Sequence, residues 1–235
     1  MVIAIQNKKE IEMNKNVALR WLFILAMLSI PWIYLAVNWS SLPERIPMHF
    51  GFDGKPDQFG DKQRAVYIPL SITLAALLVY LLLTNIYKLD PKRYARNQQG
   101  VFTKIAMAVL VFLTCVGLFV LNWTISQHAG GLNIFLVMMG LLFAYLGNVM
   151  HSIKPNYFAG FRLPWTLESE NNWRATHLLV GKMWFAGGIL IAILAIFIDP
   201  FIMFFIMFSI LLVMIVVPAV YSYRFFKKEK AGQVS

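Results

Sequence analysis

Six runs of about 20 nearly unbroken apolar residues dominate the chain: Ala18–Asn38, Ala65–Ile86, Ile105–Ser126, Leu132–Met150, His177–Ile198 and Phe201–Tyr221. That is the length an α-helix needs to cross a hydrocarbon core. The runs are too long for strands and lack the alternation of an outer-membrane barrel. Each is therefore predicted to be a membrane-spanning helix. The first run is too long for a cleaved signal peptide, contains Pro31, and has no small-residue cleavage site after it. Pro31, Pro69 and Pro218 fall in spans one, two and six, where each is expected to remove a backbone hydrogen bond and kink its helix. The links at 128–131 and Asp199-Pro200 are short enough to make hairpins of spans three and four and of five and six.

Composition removes the soluble alternatives. Of the 235 residues 59% are hydrophobic and 14% charged, with a mean hydropathy of +0.65. A soluble domain has close to twice that share of charge and no interior large enough for the apolar excess. A soluble enzyme and a nucleic-acid-binding domain are excluded, so the net charge of +10 does not signal direct nucleic-acid binding. The basic residues instead lie between the runs. Sixteen fall in the N-terminal arm, 87–104, 151–176 and the tail, whereas Arg45, Lys55, Lys62 and Arg64 lie on the opposite side and Lys182 inside the fifth span. The positive-inside rule then places both termini in the cytoplasm. The lone cysteine, Cys115, lies within an apolar run and allows neither an intramolecular disulfide nor a cysteine-based metal site. The expected fold is an all-α bundle of six transmembrane helices with a small ordered extracellular hairpin. Residues 1–104 would form a two-span N-terminal domain and 105–235 a four-span half.

Two loops carry the candidate chemistry. The outer one, 39–64, is rich in glycine, proline and aromatic residues. Asp53-Gly54, a favoured hairpin turn pair, lies between Met48–Phe52 and Gln58–Gly60. A short β-hairpin is expected, and with Trp39, Phe50, Phe52, Phe59 and Tyr67 it offers an aromatic surface to an extracellular peptide. His49, Asp53, Asp57 and Asp61 recur every four residues, a spacing that on a helix could ligate a metal. Gly51, Gly54, Pro56 and Gly60 break such a helix. The plainer expectation is that Asp53 and Asp57 bond turn backbone and that Asp61 lies near Lys62 or Arg64.

The inner loop, 151–176, continues into span five. Asn148 is expected to hydrogen-bond across helices at the inner end of span four. Lys154–Arg162 reads as a basic, aromatic turn, and Ser169 as an N-cap ahead of Glu170. Trp173, His177 and Gly181 are four residues apart and share one helix face. This loop can be an interfacial segment with aromatic anchors and arginines at lipid phosphates, or a docking surface for a cytoplasmic protein. An active site is not supported: Glu168, Glu170 and His177 lack zinc-motif spacing, and no serine-nucleophile signature is present. No cofactor is expected.

These loops resemble a known family. Pro47-Met48-His49-Phe50, Gly54-Lys55-Pro56-Asp57 and Gly60-Asp61-Lys62 are similar to the membrane domain of unknown function found at the N-terminus of Sdp immunity-type proteins. Gly147-Asn148, the stretch Asn156–Leu167 with Gly160, Arg162, Pro164, Trp165 and Thr166, then Trp173, Arg174, His177 and Gly181 resemble the SdpI-like half. The resemblance implies a multi-pass protein of the bacterial plasma membrane that protects against a secreted sporulation-delaying peptide. It also implies a cytoplasmic repressor held at the membrane when the toxin is bound. Candidate extracellular recognition residues are then His49, Phe50, Asp53, Asp57, Phe59, Asp61 and Lys62. The inner motif would contact the repressor or lipid. The alternative is a carrier for a small solute or an anionic lipid. Against it, the spans hold no Asp or Glu apart from Asp199 at a turn, whereas ion-coupled carriers usually hold one within the membrane.

Overall fold

The computed structural model describes residues 2–50, 56–88, 98–126 and 131–233. It contains helices α1 (Val2–Val37), α2 (Tyr67–Asn85), α3 (Gln99–Ser126), α4 (Leu132–Met150), α5 (Pro164–Glu168), α6 (Glu170–Phe197) and α7 (Pro200–Lys230). Strands β1 (Arg45–Phe50) and β2 (Pro56–Asp61) form the outer hairpin. All helices but α5 are long and apolar enough to span a membrane. Their outward side chains confirm which solvent they face: Leu22, Leu78 and Phe208 are each more than 60% exposed. Apolar exposure repeated along whole helices is tolerated in lipid, not in water.

The helices overrun the apolar windows at their cytoplasmic ends. α3 begins at Gln99 rather than Ile105, α6 at Glu170 rather than His177, and α7 continues past Tyr221 to Lys230. Hydropathy locates the part in hydrocarbon, while the backbone stays helical until a cap ends it. For α6 that cap is Ser169, whose hydroxyl accepts from the Asn172 amide, with Glu170 in the first turn. For α7 the helix runs on to the C-cap Ala231, while its outer end is capped by Asp199, which accepts from the Phe201 and Ile202 amides ahead of Pro200 at the first helical position.

One expectation is corrected. Pro69 does not interrupt span two. It is the third residue of α2, where a backbone N–H has no intrahelical acceptor to lose. Pro31 and Pro218 do lie inside α1 and α7.

The chain divides into two compact units, and α2 and α3 each contribute to both. The first comprises residues 1–77 and 113–129. Within it the Trp32 indole donates to the Thr73 hydroxyl (3.0 Å) and the Tyr34 hydroxyl to the Asn122 amide oxygen (3.1 Å). Leu42, Ile46 and Ala65 from the hairpin region are buried with Leu35 and Leu121. The hairpin is thereby seated on the outer ends of α1 and α3.

The second unit comprises 78–112 and 130–235. Its centre is the antiparallel pair α4 and α6, which approach backbone to backbone through Gly140, Ala144 and Gly147 on α4 and Gly181, Gly188 and Ala192 on α6. A Cβ on Gly140 would lie 2.6 Å from the Gly188 carbonyl oxygen, and one on Gly147 2.8 Å from that of Gly181. Small residues are the means by which helices gain dispersion contact where lipid offers no hydrophobic drive. The Asn133 amide closes the outer end of this pair by donating to the Ala195 and Ile198 carbonyls, at 2.6 and 3.1 Å.

Candidate functional site

The inner turn, 151–169, is built by side chains that satisfy backbone groups. Asn156, 1% exposed, accepts from the Phe158 and Ala159 amides (both 2.8 Å). Its own amide donates to the Lys154 and Ala159 carbonyls. Every donor and acceptor of a buried loop needs a partner, and here one side chain supplies four bonds. Gln98 accepts from the Lys154 amide at 2.8 Å. Thr166, fully buried, accepts from the Leu163 amide (2.9 Å), while its hydroxyl lies within reach of the Phe161 and Leu163 carbonyls. This fixes the short helix α5, with Pro164 at its first position.

His177 and Trp173 form the floor. Their rings stack at 4.0 Å with an interplanar angle of 17°. The Trp173 indole donates to the Ile153 carbonyl (2.8 Å). His177 Nδ1 lies 2.8 Å from the Trp173 carbonyl and Nε2 3.0 Å from the Phe161 amide nitrogen. A carbonyl can only accept and an amide N–H only donate, so the ring is neutral with its proton on Nδ1. Gly160 sits directly over it with φ +108°. A Cβ there would collide with His177 Nε2 and lie 3.2 Å from Trp173.

The motif thus divides by role. Asn156, Gly160, Thr166, Trp173 and His177 build the turn, and Gly181 is the close contact with Gly147. Arg162, Pro164 and Arg174 are exposed, and Trp165 is half-buried. The Arg162 guanidinium donates to the Tyr157 carbonyl, which holds it against the turn. Asn148 departs from expectation. It is exposed, and among the described residues it makes no hydrogen bond across the helices. The α4–α6 approach places Gly147, not Asn148, at the contact.

A second network was not anticipated. The Trp165 indole donates to the Ser222 hydroxyl (2.8 Å). Asn172, fully buried, donates to the Ser222 and Trp165 carbonyls and accepts from the Thr176 hydroxyl (3.0 Å). Ser169 donates to Glu229 at 2.8 Å. These bonds tie α5 and α6 to the cytoplasmic end of α7. The signal that could have found them is Asn172 and Thr176, a polar pair four residues apart at the start of a span.

On the outer side β1 and β2 are antiparallel, pairing Arg45 with Asp61, Ile46 with Gly60 and Pro47 with Phe59. The register then slips, so that His49 faces Gln58. His49 Nδ1 lies 2.7 Å from Asp57 Oδ1, both side chains being more than half exposed. Asp57 thus engages a side chain across the hairpin. Lys62 lies 3.8 Å from Glu44 and 5.7 Å from the centre of the Trp39 ring. Phe59 and Met48 are 48% and 45% exposed. Asp61 is exposed at the end of β2, and Phe50 ends β1. Asp53, with the rest of 51–55, lies outside the described residues. Among the described residues no three His, Cys, Asp or Glu side chains converge.

Fold and surfaces define a multi-pass helical membrane protein with an ordered outer hairpin and a stapled inner turn. Residues 152–222, which hold the inner turn, α6 and most of α7, match the SdpI/YfhL protein family. Residues 26–83, which hold the hairpin, match the Domain of unknown function (DUF1648). Both matches are those the motifs resemble, and they agree with a plasma-membrane protein of bacterial type. An uncharacterized protein of Archaeoglobus fulgidus is 31% identical over 58 residues, covering 25% of this chain and 32% of that protein. The chain thus spans about a third of the length of this curated relative. No solved structure matches. The SdpI/YfhL match suggests a membrane immunity-type protein.

Proposed function

We propose that this protein confers immunity to a secreted, membrane-active peptide of the sporulation-delaying type, recognising it at the outer hairpin. The observation that carries the reading is the pairing of an SdpI/YfhL match over the inner turn with an exposed aromatic hairpin. That hairpin presents Phe59, Met48 and the His49–Asp57 pair outward while Ile46 anchors it. An apolar peptide that meets this surface displaces water from Phe59 and Met48, which favours association without a deep pocket. No enzymatic step is needed for this role.

The cytoplasmic arm of the proposal is capture of a repressor by the exposed edge of the inner turn, at Arg162, Pro164, Trp165 and Arg174. Arginine and tryptophan are the residue types that most often anchor protein contacts. Signalling then requires the bound peptide to prefer one of two arrangements of the bundle.

The test is survival. A sensitive bacterium lacking its own immunity gene is challenged with purified sporulation-delaying peptide while expressing either the parent or Asp57→Ala with Phe59→Ala. The parent is expected to protect and the double variant to lose most protection at equal membrane abundance. An Arg162→Ala, Arg174→Ala variant is expected to keep protection and lose repressor capture. Absence of protection by an abundant parent contradicts the assignment.

A further inference from the structure

A cleft of about 210 Å³ opens sideways between α4 and α6 at their cytoplasmic ends. Its floor is the glycine contact between Gly147 and Gly181, where neither helix carries a side chain. Asn148 and His151 from one side and Lys182 from the other line it, with Leu178 and Phe185 on its lipid-facing rim. Both rim residues are about half exposed (50% and 49%). Asn148, His151 and Lys182 are all exposed, and among the described residues none makes a hydrogen bond or ion pair.

Depth decides what such a cleft can hold. Asn148 follows the outer end of α4 at Leu132 by about 24 Å of helix, and Lys182 precedes the outer end of α6 at Phe197 by about 22 Å, at 1.5 Å per residue. A hydrocarbon core is about 30 Å thick. The amide and the ammonium therefore lie at one level, just inside the inner boundary, and His151 lies one turn nearer the cytoplasm. A cation at that depth reaches outward to the glycerol and phosphate layer. Snorkelling alone accounts for Lys182, but not for a notch cut between two helices with an amide on its opposite wall and the Phe185 ring on the membrane-centre side.

We infer that this cleft binds one anionic phospholipid of the inner leaflet, its phosphate held by Lys182 and Asn148 and its acyl chains running toward the membrane centre past Phe185. The charge and the chemistry of the donors fit a phosphate ester: an ammonium and an amide N–H both donate to its oxygens. The inference does not depend on the identity of any extracellular peptide.

The experiment is native mass spectrometry of the full-length protein, delipidated in detergent and titrated with phosphatidylglycerol or phosphatidylcholine. The parent is expected to retain one phosphatidylglycerol at roughly tenfold lower concentration than phosphatidylcholine. Lys182→Gln is expected to weaken retention about fivefold, the worth of one cation near an anionic membrane surface, and Asn148→Leu to weaken it as well. Asn148→Leu changes an exposed side chain and keeps the test valid if Lys182→Gln does not fold. Lys228→Gln, an exposed cation in the last turn of α7 outside the cleft, is expected to leave retention unchanged. Parental retention by both cleft variants overturns the inference, as does equal binding of the two lipids. Displacement of the lipid by millimolar glycerol phosphate overturns the lipid assignment in favour of a free phosphate ester.

Discussion

Gly188→Leu is expected to lower stability by about 3 kcal/mol, the upper part of the range for overpacking a tight contact. A Cβ at this position would lie 2.5 Å from the Gly140 carbonyl oxygen and 2.9 Å from the Ala144 Cα. These are backbone atoms, which cannot turn aside as a long side chain can. The two helices must separate along the stretch between Gly140 and Gly147, and every dispersion contact beside the new side chain is lost with them. Gly100→Ala is the matched control. It lies in the first turn of α3 with nothing within 4 Å of the added carbon, and a gain of up to about 1 kcal/mol is expected. Reversible unfolding in mixed micelles by titrated dodecyl sulfate measures both. A loss below about 1 kcal/mol for Gly188→Leu would falsify the close α4–α6 approach.

Gly160→Ala is the second large effect, and it acts on the inner turn rather than on a helix pair. Two costs add. At φ +108° an L side chain is strained, at about 1–3 kcal/mol. The methyl group also collides with His177 Nε2, the acceptor of the Phe161 amide. If the ring moves, a buried N–H loses its partner at about 1–3 kcal/mol more. Hydrogen exchange should therefore rise first at Phe161 and at the neighbouring amides bonded to Asn156, with α4 and α7 unchanged. Repressor capture is expected to fall with it, because Arg162 and Pro164 are presented by this turn. Protection that fails as completely as capture does would show that the turn serves the whole bundle.

How far the sequence discloses this architecture depends on how local each cause is. The spans were legible because crossing a bilayer sets a minimum run of apolar residues within one segment. The Ser169 cap and the Trp173–His177 face were legible for the same reason: cap and face are set within four residues. The two paired strands were legible as the segments on either side of Asp53-Gly54, but the His49–Asp57 pair was not. His49 faces Gln58 in the ladder, so strand pairing does not by itself disclose its contact with Asp57. Asn156, Thr166 and His177, singled out as motif residues, bond backbone amides and carbonyls. That use depends on a loop folding over a helix, which no spacing encodes. Asn148 was misread because its neighbour Gly147 sets the helix rotation by meeting Gly181, a contact made by the absence of side chains. Pro69 was misread because its effect depends on where α2 begins, and element ends are set by caps rather than by hydropathy.

The measurement closest to the central claim is direct binding. Purified parent protein in lipid nanodiscs is mixed with fluorescently labelled sporulation-delaying peptide, with empty nanodiscs and the Asp57→Ala, Phe59→Ala variant alongside. Recognition at the outer hairpin predicts saturable binding to the parent above the empty-disc level, weakened at least tenfold in the folded variant. Binding to the parent no stronger than to empty discs, or undiminished in the variant, would contradict it.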